Sequence, residues 1–488
     1  MYASVLAATQ VGVDPRPVVV EAHGKGTGRG RFSIVGLPDT AVREAAERVR
    51  SAVAAAGARL PKNVLVNLAP GDVRKEGPTY DLPIALAAVR SEEPGGGPLV
   101  SAGELSLDGS VRGTRNALAA ALVAAQAGLP CLLPDDAAPV AALVPRADIR
   151  LVGSLAEAIT VSREGGGRVP EEVAAPTLAS PPDLADVRGQ SDARRALEIA
   201  AAGGHHLLFI GPPGTGKSLL ASCLPGILPS LDPDASLASA LVWAAAGEDR
   251  ADPGIPAFRA PHHSASGAAL LGGGSGTPVP GEISRAHLGV LHLDELGEFP
   301  PHLLDALRQP LEDGSVTIAR RGTTVRFPSR FQLVASTNPC PCGHLGDRRR
   351  PCTCGAGQLE RYRRRLSGPL IDRIDVRVAV GQPAPAELLG PPGEPSSAVR
   401  TRVDDARARQ DARGCPNHAL GRRRLDALEV DRSASELLHR ALDGGRLSGR
   451  GFDRVRRVAR TIADLAGEDV VAEPHVAEAL AFRGDDVG

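Results

Sequence analysis

Lysine is nearly missing from this chain. Beyond Lys75 a single lysine remains, Lys217, and arginine supplies every other fixed positive charge. The bias fits a GC-rich genome, so a retained ammonium marks a place where a planar guanidinium does not fit. Other absences narrow the field. No apolar run reaches the ~18 residues of a membrane-spanning helix. Met1 to Gln10 lack a basic segment followed by a long apolar run, so no secretory signal is expected. The net charge is −1, so bulk electrostatics do not announce a nucleic-acid binder. A ring-shaped motor, however, can hide a basic pore inside a neutral exterior. The seven cysteines are an odd number, and four of them form two Cys-x-Cys pairs. That pattern suits a reducing cytoplasm and a metal site better than a disulfide framework. No internal repeat is visible.

What is present is enough for several cores: 488 residues, 42% hydrophobic, with a length prior of about three domains. Residues 1–162 alternate strands (Val18 to Glu21, Val64 to Leu68) with helices. Asp39 to Ala56 has Asp39 as N-cap and Gly57 as stop, and Ala117 to Ala127 ends at Gly128. The Gly- and Pro-rich stretch 163–183 is a linker. A second unit, 184–381, contains the buried strand Leu207 to Ile210 and a helix from Ser218 onward. After a second Pro-rich linker, 382–395, residues 396–488 are helical, as in Ser396 to Arg413 and Ser433 to Leu442.

Lys217 closes Gly211-Pro212-Pro213-Gly214-Thr215-Gly216-Lys217-Ser218, which fits G-x-x-x-x-G-K-[ST] with a strand before it and a helix after. Such a loop wraps backbone N–H groups around phosphates and leaves room for a compact ammonium, so ATP is the expected ligand. Val290-Leu291-His292-Leu293-Asp294-Glu295 is an apolar strand ending in two acids. Asp294, with Ser218, is expected to hold Mg²⁺, and Glu295 to polarise the attacking water. Leu333 to Asn338 is another strand ending in a polar residue, placing Asn338 to orient that water. Alternatively, Asn338 is a turn former before Pro339. Cys340-x-Cys342 and Cys352-x-Cys354 offer four thiolates for tetrahedral zinc, with His344 as a substitute ligand, or else a set of reduced thiols or a redox pair. Arg373 is placed to reach the γ-phosphate of a neighbouring subunit. The run Arg361 to Arg365 reads as a solvated helix face or a polyanion contact.

Together these motifs resemble the magnesium-chelatase-like AAA+ family of YifB and ComM. The resemblance extends to Val35-Gly36-Leu37-Pro38-Asp39, Val66-Asn67-Leu68-Ala69-Pro70, Asp81-Leu82-Pro83-Ile84-Ala85 and Gly103 to Gly109. It also takes in Ala260-Pro261-His262-His263-Ser264, Pro280 to Ser284, Ser367-Gly368-Pro369-Leu370-Ile371-Asp372-Arg373 and Val458 to Leu465. The implied fold is an N-terminal Lon-protease-like (S5 domain 2-type) α/β domain, a central AAA+ P-loop ATPase core and a C-terminal α-helical lid. The resemblance implies a hexameric ring that drives branch migration of DNA during natural transformation. It makes Asn338 the sensor 1 residue and Arg450 the sensor 2 candidate, with Arg454 and Arg457 in reserve. Gly267 to Gly281 becomes a pore-lining insert, or a plain mobile loop. This chain departs from the family at His292, usually apolar, at Arg285, usually Leu, and in the loop Pro94 to Pro98. Arg285 is a candidate pore charge or an outer-surface residue.

A peptidase is the competing class. Lys75-Glu76-Gly77-Pro78-Thr79 is similar to the Lon segment that carries the nucleophile, with Thr79 in that place. The Lon dyad needs a downstream lysine able to lose its proton, and arginine cannot replace it. The domain has no lysine after Lys75, so peptidase activity is not expected. The expected protein is a cytoplasmic ATP-driven DNA motor, with a remodeller of a protein partner as the alternative.

Overall fold

The computed structural model describes residues 1–26, 30–170, 180–250, 252–274, 277–320, 323–346, 350–366, 370–445 and 447–483. Outside them lie 171–179 of the first linker, Ser275 and Gly276 of the expected insert, and Ser367-Gly368-Pro369 of the Arg373 motif. Chain contacts define two compact units: Met1–Pro176 with Pro233–Asp252, and Thr177–Asp232 with Pro253–Gly488. Among the described residues, no helix is long and apolar enough to cross a membrane.

In the first unit a seven-stranded sheet runs in the order Phe32–Val35, Asn63–Ala69, Asp14–Lys25, Tyr2–Val11, Val100–Ser101, Pro130–Pro134, Asp148–Val152. Asp14–Lys25 is antiparallel to both its neighbours, and the other pairings are parallel. Val18, Val20 and Ala22 face the core in strict alternation, as do Val64, Val66 and Leu68, the pattern of a sheet covered on one face. The covering helix Thr40–Ala55 buries Val42, Ala45, Ala46, Val49, Ala52 and Val53. Its N-cap, Asp39, accepts from the Val42 N–H at 2.8 Å, a bond worth about 1 kcal/mol. Beneath it the helix Asp81–Glu92 is buried from Asp81 through Ser91. Asp81 is held by Arg48 through Nε at 2.6 Å and Nη2 at 3.0 Å. Burial still wins, raising the Asp81 carboxyl above its ordinary value against the pull of Arg48. The helix Pro233–Ala245 follows the P-loop helix in sequence yet packs here. Ala240 and Ala244 join the cluster around Ala117–Ala127, and Gln10 Nε2 donates to the Leu241 carbonyl at 2.7 Å.

The second unit is built on a five-stranded parallel sheet: Phe258–Arg259, Val290–Leu293, Gln332–Thr337, Leu207–Ile210, Val376–Ala379. Both faces are covered, which is why these strands are almost continuously apolar. On one face, helices Ser191–Gly203 and Lys217–Ile227 share a single core with the C-terminal helices Ser396–Ala412, Arg432–Asp443, Gly449–Ala466 and Glu473–Ala481. On the other, Leu208, Leu291, Leu293 and Leu333 pack against Leu270, Ile283, Phe299, Leu303 and Ile371. The strand carrying the phosphate loop lies beside Gln332–Thr337, whose own neighbour is the acidic strand. Ligands of open α/β sheets bind beyond the carboxyl ends of strands, where the strand order reverses. Residues 211–218, Asp294, Glu295 and Asn338 all follow such ends.

Candidate active site

The loop after Leu207–Ile210 folds as sequence alone predicts. Gly214 and Gly216 have positive φ, 77° and 88°, which glycine adopts without steric cost. A Cβ on Gly211 would lie 2.1 Å from the Val380 carbonyl oxygen, so no side chain fits there. Helix Lys217–Ile227 then opens with its N-terminus toward the loop, an arrangement that favours phosphate. Pro213 to Leu219, Asp294, Glu295, Thr337 and Asn338 line a pocket of about 420 Å³. Pro212 contributes its carbonyl, which accepts from Lys217 Nζ at 2.7 Å and from Thr215 Oγ1 at 3.0 Å. Lys217 Nζ also donates to the Gly211 carbonyl at 2.8 Å and lies 3.5 Å from Asn338 Oδ1. Burial lowers its pKa, while Asp294 and Glu295 oppose that shift.

Asp294 sits at the centre of a chain of bonds. Its Oδ2 accepts from Ser218 Oγ at 2.7 Å, and its Oδ1 accepts from Ser336 Oγ. His292 Nε2 lies 3.1 Å from that same Ser336 oxygen. Burial raises the Asp294 pKa, but the two serines outweigh it and the carboxyl ends below its ordinary value. A hydroxyl and an ionised carboxylate side by side are hard oxygen donors, a set that fits Mg²⁺. His292, the departure from the apolar family pattern, is buried against Phe258 (ring centroids 5.8 Å apart) and its pKa is lowered by that burial. Its polarity is satisfied by Ser336, so it supports the acidic strand without entering the pocket. Glu295 adopts a left-handed backbone, φ 52° and ψ 51°, which a non-glycine residue takes at a cost of about 1 kcal/mol. Its Oε2 lies 3.5 Å from His263 Nδ1. Nothing in the sequence alone marks Ser336 as the anchor of Asp294, and His263 is legible only through the Ala-Pro-His-His-Ser motif. Gln190, whose amide bonds the Thr215 and Gly381 carbonyls at 3.2 and 2.6 Å, carries no sequence signal.

The remaining predicted residues lie elsewhere. Arg373, in the short 3₁₀ turn Ile371–Arg373, donates to Glu312 and does not line the pocket. Burial, then the charges of Arg308 and Arg450, lower its pKa, so three arginines cluster there. Arg450 is exposed. The reserve candidates are engaged internally: Arg454 pairs with Asp375 at 3.3 Å, and Arg457 Nε donates to the Leu420 carbonyl at 2.9 Å. Arg285 is also tied down, 3.5 Å from Glu282. Around the undescribed Ser275 and Gly276, the glycine-rich segment forms a helix, Gly267–Leu271, and a hairpin pairing Gly272–Gly273 with Val279–Pro280.

The four paired cysteines converge. Sγ of Cys340 is 3.4 Å from that of Cys342 and 3.7 Å from that of Cys352, and Cys342 and Cys352 are 3.5 Å apart. The four sulfurs all lie within 4.8 Å of one another. A disulfide requires about 2.05 Å, whereas four thiolates at zinc–sulfur distances of about 2.3 Å stand roughly 3.8 Å apart. Cys340 Sγ also accepts from the Leu345 N–H at 3.2 Å, and Cys354 Sγ from the Cys342 N–H at 3.4 Å, the outer-shell bonds that orient metal ligands. In the first unit, Thr79 Oγ1 is 2.8 Å from Thr114 Oγ1, and buried Lys75 donates to the Pro70 carbonyl.

Comparison with known proteins agrees with this geometry. The family model described as magnesium chelatase, subunit ChlI, matches residues 183–388. Models for subunit ChlI of Mg-chelatase and for the ChlI C-terminal region match 20–136 and 393–483. An uncharacterised protein of Mycobacterium tuberculosis (strain ATCC 25618 / H37Rv) is 42% identical over 97% of this chain and 96% of its own length. The uncharacterised protein YifB of Escherichia coli (strain K12) is 40% identical over 98% of this chain and 96% of its own. The competence protein ComM of Haemophilus influenzae is 39% identical over 99% and 97%. Matched end to end by such relatives, with its phosphate loop and acidic strand meeting in one pocket, the chain belongs to the magnesium-chelatase-like AAA+ family of YifB and ComM.

Proposed function

We propose that the chain is an ATP-hydrolysing ring motor that acts on DNA, a branch-migration helicase in the recombination of DNA taken up during natural transformation. The observation that carries the reading is the pocket itself. The phosphate loop, Lys217, Ser218, Asp294, Glu295 and Asn338 line it together, in a chain similar over its whole length to a protein named for competence. The working division is an N-terminal domain over 1–162, an ATPase core over 184–381 and a helical lid over 396–488, assembled as a cytoplasmic hexamer. Gly211 to Ser218 cradle the phosphates, and Lys217 offers its charge to them. Ser218 and Asp294 hold Mg²⁺, which when bound neutralises phosphate charge. Glu295 takes the proton of the attacking water, Asn338 orients that water as sensor 1, and Arg450, which lies outside the pocket of its own chain, is the sensor 2 candidate. Arg373 acts on the nucleotide of a neighbouring subunit. The four cysteines hold structural Zn²⁺. Peptidase activity has no place in this reading, because the domain has no lysine after Lys75 to act as the base.

A protein-directed remodeller is the second reading, favoured by the matches to a chelatase subunit in three separate segments. Steady-state ATPase with and without single-stranded and forked DNA, at two salt concentrations, separates the two. Stimulation that weakens at high salt supports the DNA motor, because phosphate contacts release counterions. Turnover indifferent to every DNA favours the remodeller.

A further inference from the structure

The cysteine cluster and the nucleotide pocket are joined on three sides. First, only Pro339 separates Asn338 from Cys340, and proline fixes its own φ near −65°. Cys340 is fully buried, so the position of its sulfur is passed directly to Asn338. Second, Gly343, at φ 82°, lies against the phosphate loop: a Cβ there would stand 2.8 Å from Pro213 Cδ. Third, the helix Ala356–Leu366 begins two residues after Cys354 and returns Tyr362 to the same place. The Tyr362 hydroxyl is 2.9 Å from Thr337 Oγ1 and donates to the Asn338 carbonyl at 3.1 Å. One cysteine pair is therefore tied to Asn338 through Pro339, and the other through Tyr362. A metal held by both pairs closes this circle, adding bonds from both arms to the Cys342 N–H to Cys354 Sγ bond that already joins them.

We propose that metal in the four-cysteine cluster positions Asn338 and the Pro213 end of the phosphate loop for ATP hydrolysis, so that turnover depends on the metal more than nucleotide binding does. The inference rests on the zinc reading above. Cys340, Cys342, Cys352, Cys354 and Tyr362 are positioning residues. Nucleotide affinity comes mainly from the backbone N–H groups of residues 214–218 and from Lys217, none of which the cluster supplies.

The test uses the full-length protein purified under reducing conditions. Zinc per chain is measured by mass spectrometry, then kcat, KM for ATP and affinity for a fluorescent ADP analogue before and after chelation. The expected result is one zinc per chain, with chelation lowering kcat about tenfold or more and affinity less than about threefold, and Zn²⁺ restoring kcat. Stoichiometric zinc whose removal leaves kcat within about twofold leaves the zinc site standing and overturns the coupling. Protein that holds no zinc overturns the site and the coupling together. If chelation unfolds the chain, Tyr362→Phe decides. It removes one hydroxyl and no ligand, and is expected to keep its zinc and nucleotide affinity while losing kcat severalfold. An unchanged kcat in that variant overturns the coupling.

Discussion

At the scale of single residues, the acidic strand end divides its work between two carboxylates. The Glu295 side chain is half-exposed and faces the pocket, and Glu295 bonds Asp294 only through its backbone N–H, which glutamine keeps, so Glu295→Gln is expected to bind ATP normally. Its hydrolysis falls by about a hundredfold or more, because proton acceptance is the one function lost. Near-normal single-turnover hydrolysis would remove Glu295 from its role. Asp294 works through its neighbours. His292, Ser336 and Asp294 form a relay of hydrogen bonds, and bonds to a charged group are worth about 1.5–3 kcal/mol. Ser336→Ala leaves His292 without its partner and Asp294 held only by Ser218 and the Glu295 N–H. The Mg²⁺ concentration for half-maximal ATPase should rise about tenfold, and a Mg²⁺ titration that overlays the parent's would discard the relay.

Elements hold together through charges that the apolar pattern does not reveal. Asp375 immediately precedes the edge strand Val376–Ala379, bonds His205 at 3.3 Å and pairs with Arg454 of the helix Gly449–Ala466. Burial works against the charged form, yet the His205 bond and the nearby positive groups prevail and pull the carboxyl down to about 2. A carboxyl depressed on folding adds stability above its unfolded pKa and loses it as pH falls through its folded one. Asp375 therefore contributes about 2 kcal/mol near neutrality, with roughly half gone by pH 3. Asp375→Asn should lower the urea midpoint at pH 7, and the gap should narrow between pH 5 and pH 3. A gap constant over that range would assign the loss to packing alone. The helix Thr40–Ala55, with one wet face, was legible in advance from its cap and spacing, and Ala117–Ala127 from its apolar run and Gly128. The helix Asp81–Glu92 was not, because burial from Asp81 to Ser91 erases its period. The hairpin Ser315–Arg320 with Thr323–Pro328 does alternate, Val316 and Ile318 against Val325 and Phe327, and that weak signal was available. The helix Pro233–Ala245 could not be placed, since its attachment to Gln10 lies far away in sequence. The pocket was the most legible part, because phosphate chemistry fixes residue type and spacing together. Its supports, Ser336 and Gln190, are chosen by tertiary contact.

For the whole molecule the question is which nucleotide Arg373 serves. It lies outside the pocket of its own chain, where it donates to Glu312 and feels the charges of Arg308 and Arg450. A planar guanidinium pairs readily with phosphate oxygens, and a phosphate presented by the next subunit of a ring is the partner such an arginine serves in ring ATPases. Arg373→Ala should then bind ATP and fail to hydrolyse it, as Glu295→Gln does, but for a complementary reason. One variant keeps an intact pocket and lacks the arginine for its neighbour, and the other lacks the base and keeps the arginine. Co-expressed as mixed rings, each Arg373→Ala pocket that faces a Glu295→Gln neighbour regains a full set of groups. With random assembly about one interface in four is of that kind, so roughly a quarter of parental ATPase should return. An arginine acting on its own chain predicts the opposite, because every protomer in the mixture still lacks one essential group. Mixed rings as inactive as either parent variant would place Arg373 in cis.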